Sequence, residues 1–256
     1  MVTITFLNIK GGVGKTTTSA NIAGGLADKG KRVLFIDYDK QGDASDFFPS
    51  SSEITIGDVM LGIIPIEQAM FKAEDNIYVI PSAMDIKEVE INFQRNQEGA
   101  RHDILKNYLK RVEDRFDYCI IDCHPDMNIL IINAIYASDK LIITIKPSKK
   151  GIKGFQNTLN NIEMIKKNMS LSVDAYILFT IVARLNEEKS VIESMRKMIG
   201  DKVFNSQIRY QAGPVAKAEN RDELVIRYSF PIVPGVSRDM RDTVEEILRR
   251  FPDATR

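Results

Sequence analysis

Lys10-Gly11-Gly12-Val13-Gly14-Lys15-Thr16-Thr17 concentrates the residue types that handle phosphate: glycines set between two lysines, with two hydroxyls behind them. Glycines let successive backbone N–H groups curl round a phosphate with no Cβ in the way. Lys15 can then neutralise the β- and γ-phosphates of a nucleoside triphosphate, and Thr16 can offer its hydroxyl to Mg²⁺. Two aspartates further along, Asp39 and Asp122, suit the same reaction. A carboxylate at Asp122 can hold the water shell of Mg²⁺ near Thr16. Asp39 can orient or polarise an attacking water, since phosphoryl transfer depends on positioning and electrostatics. The strict form of such a loop begins with glycine at position 9, where this chain has Ile9, so the fit is to a variant with Lys10 before the double glycine.

These residues need a scaffold, and the surrounding pattern supplies one. The loop follows an apolar run, Val2 to Asn8, and precedes Ser19, Ile22, Ala23, Leu26 and Ala27 at helical spacing, with Gly30 placed for a left-handed cap. The positive end of that helix dipole adds to the phosphate site. Further strands are expected at Arg32 to Asp37, Ile77 to Ile80, Tyr118 to Asp122, Leu141 to Lys146, Val173 to Val182 and near Phe204. Helices are expected at Ala83 to Arg95, Asp103 to Val112, Met127 to Tyr136, Gly151 to Lys167, Glu187 to Ile199 and Ser237 to Phe251. Buried apolar runs alternating with amphipathic stretches predict an α/β fold with parallel strands and helical crossovers. Asp122 then sits at the carboxyl end of its strand, the edge where open α/β sheets bind ligands. Pro49-Ser50-Ser51-Ser52-Glu53 is the one compositional break and reads as a surface loop, so residues 1–256 are expected to form a single domain.

The 35 basic and 35 acidic side chains cancel, which excludes a histone-like or polybasic nucleic-acid binder. The balance hides an asymmetry, because residues 1–139 sum to −7 and residues 140–256 to +7. Cys119 and Cys123 are too few for a disulfide framework and are expected to be buried thiols on one side of a strand. No secretory signal or transmembrane run is apparent, so a soluble cytoplasmic protein is expected. The stripe Met240, Val244, Ile247, Leu248 and Phe251 reads as core packing, and His124 as structural.

Lys10 makes the loop specific: Lys10 to Thr17 resembles the deviant Walker A box of the ParA/MinD superfamily of ATPases. Phe35 to Asp43 resembles the family's second box, with Lys40 in place of proline and Asp43 in place of asparagine. Phe116 to Pro125 resembles its Walker B strand, with His124 where a first proline is usual. The similarity runs from Thr3 to roughly Lys146, with a faint echo at Ile208 to Ala218.

The resemblance implies a P-loop NTPase fold, a mostly parallel twisted sheet flanked by helices on both faces. It implies a slow, partner-stimulated ATPase using ATP and Mg²⁺. Lys10, Gly11, Gly12, Val13, Gly14, Lys15, Thr16 and Thr17 would bind nucleotide, with Lys10, Lys15 and Asp39 catalytic and Thr16 and Asp122, through water, at the metal. Lys10 would reach across a nucleotide-sandwich homodimer to the partner's ATP, a cation in trans that acts as an arginine finger does. The ATP dimer would hold nonspecific DNA on the nucleoid until a ParB-type centromere-binding partner stimulates hydrolysis. The chain opens at its first strand, without a helix-turn-helix extension, so operator-specific repression is not expected.

Lys146, Lys149, Lys150 and Lys153 flank Pro147 where a helix begins. Cations there oppose the macrodipole by about 0.3 to 1 kcal/mol each when exposed, so an anionic partner or a solvated face must account for them. With Arg209, Lys217 and Arg221 they are the expected DNA contacts. The resembled family more often has uncharged or acidic residues in the lysine loop, so no family role transfers to it. Two other functions share the fold. A MinD-like positioning ATPase should end in a basic amphipathic helix with exposed bulky apolar residues, whereas Arg249 to Arg256 offers Phe251 alone, followed by Pro252. A metabolic ATP-dependent ligase or reductase would leave Lys10 and the lysines without a use.

Overall fold

The computed structural model describes residues 1–48, 52–84, 86–95, 102–183, 185–228 and 235–253. Each apolar run noted above becomes a strand: β1 (Val2–Leu7), β2 (Val33–Tyr38), β4 (Ile77–Ile80), β5 (Tyr118–Cys123), β6 (Lys140–Ile145), β7 (Asp174–Val182) and β8 (Val203–Arg209), with β3 (Phe71–Glu74) added between the second and third of them. Among the described residues the eight strands form one sheet in the order β3-β4-β2-β5-β1-β6-β7-β8. Neighbours are parallel except β3 and β4, which are antiparallel. From β1 the chain moves to one side to build β2, and it later reaches the other side as β6. The loop after β1 therefore emerges at a topological switch point, where such sheets bind ligands.

The helices are α1 (Lys15–Asp28), α2 (Ile56–Met60), α3 (Ile66–Ala69), α4 (Ile86–Arg95), α5 (Ile104–Lys110), α6 (Ile129–Ala137), α7 (Lys149–Met169), α8 (Asn186–Ile199), α9 (Ala212–Glu219) and α10 (Val236–Arg250). They cover both faces of the sheet. Ile22 and Leu26 of α1 and Met240, Val244 and Ile247 of α10 bury against Ile4, Phe6, Phe35 and Ile120 on one face. Leu105 of α5, Ile131 of α6, Phe155 of α7 and Ile192 of α8 bury against Ile36, Ile121 and Ile143 on the other. The fold is thus an α/β P-loop architecture with a mostly parallel sheet.

The α10 stripe packs inward as its spacing predicts. Met240, Val244, Ile247 and Phe251 are at most 3% exposed, and each such side chain contributes about 1.5 to 3 kcal/mol on burial. Phe251 stacks with Tyr176 at 4.7 Å and lies 6.1 Å from Phe204. Cys119 and Cys123 are both buried and unpaired on the α6 face of β5, and burial pushes both thiols up, toward inert neutral forms. Gly30 takes φ +78° as the left-handed cap of α1. α4 starts at Ile86 rather than Ala83, and Pro49, Ser50 and Ser51 of the expected loop lie outside the described residues.

Candidate nucleotide site

The loop between β1 and α1 is held from several sides. The side-chain oxygen of Asn8 accepts from the Lys10 N–H at 2.9 Å, and its amide donates to the Thr144 carbonyl at 2.7 Å, tying the loop to β6. Thr180, on β7, donates to the Val13 carbonyl at 2.7 Å. Gly12 and Gly14 adopt φ +68° and +74°, and a Cβ built on Gly11 or Gly12 would meet nothing within 4 Å. The backbone is therefore open on the side a phosphate would approach.

Asp122, the last residue but one of β5, stands beside this loop. Thr16 donates to its Oδ2 at 2.8 Å and Ser19 donates to its Oδ1 at 2.8 Å. Burial pushes the carboxyl up to about 6, against the pull of those two donors and of Lys15. The Thr16 hydroxyl gives its hydrogen to Asp122 and keeps lone pairs for a cation. Lys15 is 7% exposed and carries no ion pair among the described residues. A buried ammonium is costly unless an anion meets it, so this donor set suits a triphosphate with Mg²⁺.

Asp39 stands half-buried just beyond β2, its N–H donating to Asp37 at 3.0 Å and its own Oδ1 accepting from the Gln41 N–H at 3.0 Å. Its charge acts on Asp122, so the two carboxylates share one electrostatic neighbourhood. Asp37 is fully buried, accepts the Ser45 N–H and hydroxyl at 2.9 and 2.8 Å, and is pushed up to about 7 by burial and by Asp122. His124 is 3% exposed; its Nδ1 accepts the Asp126 N–H at 2.9 Å and its Nε2 meets the Asn128 amide at 3.0 Å. Burial lowers its pKa, and its contacts with Asp126 and Asn128 pin the ring at the start of α6.

A family model described as an AAA domain matches residues 1–175. The sporulation initiation inhibitor protein Soj of Bacillus subtilis (strain 168) is 35% identical over 213 residues, 80% of this chain and 83% of its own. The chain belongs to the ParA/MinD superfamily of deviant Walker A ATPases. Within it the chromosome partitioning protein ParA of Caulobacter vibrioides is 32% identical over 209 residues, 78% of each chain. In fold, the chain resembles a putative plasmid partition protein of Borrelia burgdorferi B31 bound to AMPPNP, with TM-score 0.81, 20% identity, and 98% and 99% of the two chains covered.

The lysine that names the deviant box has a distinct seat here. The Lys10 side chain runs along α7, where a Cβ on Gly154 would come within 3.4 Å of its Cβ and Cδ. Lys10 is thus half-buried against α7, while Lys15 is buried. Lys146, Lys149, Lys150 and Lys153 are exposed around the start of α7, which Ser148 caps by accepting the Gly151 N–H at 3.1 Å. Lys217 and Arg221 are exposed on and just after α9. Arg209 is different: its guanidinium grips Asp239 at 2.5 and 2.6 Å and is 15% exposed, so it is committed to the fold. Ser19, Asn8, Thr180 and Asp37 support the site without having been singled out for it in the sequence. A small apolar cleft of about 140 Å³ borders the loop, lined by Gly14, Thr18, Ile181, Ile208, Tyr210 and Val215.

Proposed function

We propose that this chain is a DNA-partitioning ATPase in which ATP joins two copies face to face, the dimer holds DNA by its phosphates, and hydrolysis stimulated by a ParB-type partner releases it. The observation that carries this reading is the split between the two lysines of the loop, Lys15 buried beside Asp122 and Lys10 laid on Gly154. A lysine so laid is placed to serve the phosphates of a facing copy. The partitioning role of Soj-like and ParA relatives supports the same reading.

Gly11 to Thr17 would cradle the phosphates, Lys15 would neutralise them, and Thr16 with Asp122 would hold Mg²⁺, the latter through water. Mg²⁺ held there would supply positive charge that stabilises the transferring phosphoryl group. Asp39 orients the attacking water. Lys10 completes the site in trans, where a cation of this kind contributes about 10³ to 10⁵ in rate. Lys217 and Arg221, exposed on the basic half, are the proposed DNA contacts. Phe251 is buried against Tyr176 and Phe204, which argues against a membrane-anchoring end. Among the described residues no helix is long and apolar enough to cross a membrane.

The test is binding to nonspecific DNA with ATP, ADP and no nucleotide across a salt series. Contact with about 4 to 6 phosphates predicts a slope of log K against log salt of roughly −4 to −5 with ATP. A flat response, or equal binding in all three states, overturns the reading. Lys10→Ala should still bind ATP and lose dimer-dependent turnover.

A further inference from the structure

The charges on the nucleotide edge are sorted to two sides of the phosphate loop. On one side Asp43, Asp46, Glu219 and Asp222 line a cleft of about 320 Å³ with Thr16 and Thr17. Asp43, Asp46 and Asp222 are exposed and their carboxylates make no ion pair or hydrogen bond among the described residues, while Glu219 accepts the Thr17 hydroxyl at 3.0 Å. Burial, and then the charges of Asp43 and Asp222, raise the Asp46 carboxyl. On the other side Lys146, Lys149, Lys150 and Lys153 are exposed and equally unpaired among the described residues. Lys149 and Lys150 lie four and three residues before Lys153, so they share one flank of α7, and Lys10 lies next to it on Gly154.

Each cluster repels itself, and the loop keeps the two apart within one chain. A second copy removes the conflict. A two-fold axis joining two such edges lies in the plane of contact. If it passes the loop at right angles to the line from lysines to acids, it sets each cluster on its opposite in the facing copy. The same rotation carries Lys10, which lies on the lysine side, toward the Thr16 side of the other loop. ATP on the loop adds negative charge where the partner's lysines arrive, which makes the attraction depend on nucleotide.

From this arrangement we infer that the lysine flank of α7 in one copy docks on the Asp43, Asp46 and Asp222 cleft of a second copy, and reciprocally, and that this pairing sets the register of the ATP dimer. The inference rests on the face-to-face dimer proposed above. It assigns the lysines to a protein surface rather than to DNA.

Reciprocal charge reversal tests it. One variant carries Lys149→Glu, Lys150→Glu and Lys153→Glu, and the other Asp43→Lys, Asp46→Lys and Asp222→Lys; sedimentation with ATP reads the oligomeric state. Each variant alone should dimerise at least roughly tenfold more weakly than wild type, and an equimolar mixture should form heterodimers. Thermal melts and fluorescent-ATP binding establish that each variant is folded. Lys149→Gln, Lys150→Gln and Lys153→Gln provide a milder form with the same expected direction. Wild-type dimerisation in the lysine variants, with or without a loss of DNA binding, overturns the docking surface, and so does a mixture that stays monomeric. If wild type itself remains monomeric with ATP, the partition reading falls with it.

Discussion

Asp37 and Asp122 stand directly opposite each other on β2 and β5, both fully buried and both on the α1 face of the sheet. Burial raises both carboxyls, with repulsion from Asp122 added at Asp37 and repulsion from Asp39 added at Asp122, which is why they rise to about 7 and about 6. In the unfolded chain both lose their protons near pH 4. Between that value and about 7 the folded state holds more protons, so the stability this pair contributes is full below about pH 4 and is lost as pH rises through about 7. The nucleotide-free protein should therefore melt at a lower temperature at pH 8 than at pH 5.5. Asp37→Asn should flatten that slope; an unchanged slope refutes the assignment.

Mg²⁺ at the proposed site would reverse the preference at Asp122, because the ion's water shell needs the carboxylate. Magnesium-dependent ATP affinity should fall as pH drops through about 6, the value burial sets for Asp122. Titrating fluorescent ATP with and without Mg²⁺ at several pH values separates this loss from any weakening at Lys15, which would appear in both series.

Ser19 fixes the second oxygen of Asp122 and also donates to the Thr16 carbonyl at 3.0 Å. Residues that orient a metal-holding group typically contribute 10- to 100-fold in affinity or activity. Ser19→Ala should lower Mg²⁺ affinity by about that factor with nucleotide binding in EDTA unchanged. A variant with wild-type Mg²⁺ dependence would show that Thr16 alone suffices.

The loop, the strand ends and α1 are legible in the sequence because their chemistry lies in contiguous residues whose periodicity fixes the element. Ser19 was visible as a helical residue, but its bond to Asp122 spans 103 positions and has no local signal. Arg209 looked like a DNA contact because its partner Asp239 lies 30 residues away. β3 was missed because Phe71-Lys72-Ala73-Glu74 alternates over too few residues and pairs antiparallel at the sheet edge. The lysine loop was legible as charge, whereas its place at the nucleotide edge depends on the order of β1 and β6.

Gly151 fixes how that lysine loop enters α7. A Cβ there would come within 2.0 Å of the Lys146 carbonyl oxygen, a backbone atom with no freedom to swing aside. Forced overpacking costs typically 1 to 3 kcal/mol. Gly151→Ala should destabilise the protein by about that much in urea denaturation, even though alanine favours a helix interior. A neutral or stabilising result would mean that the Pro147 turn can shift.

Gly154 allows the opposite dissociation, activity lost while stability holds. Its missing Cβ leaves the groove in which Lys10 lies, with contacts at 3.4 Å that a single methyl already makes tight. A larger side chain should push Lys10 away from the path it takes to a facing copy. Gly154→Ala removes the glycine penalty of about 1 kcal/mol in a helix and should leave the melting temperature level or higher. Gly154→Leu should then lose most of the rate that a trans cation supplies, of order 10³-fold, while ATP binding through Lys15 persists. Turnover in the leucine variant equal to wild type would show that Lys10 reaches its target by another route. Parallel loss of binding and turnover would show instead that the whole loop has moved.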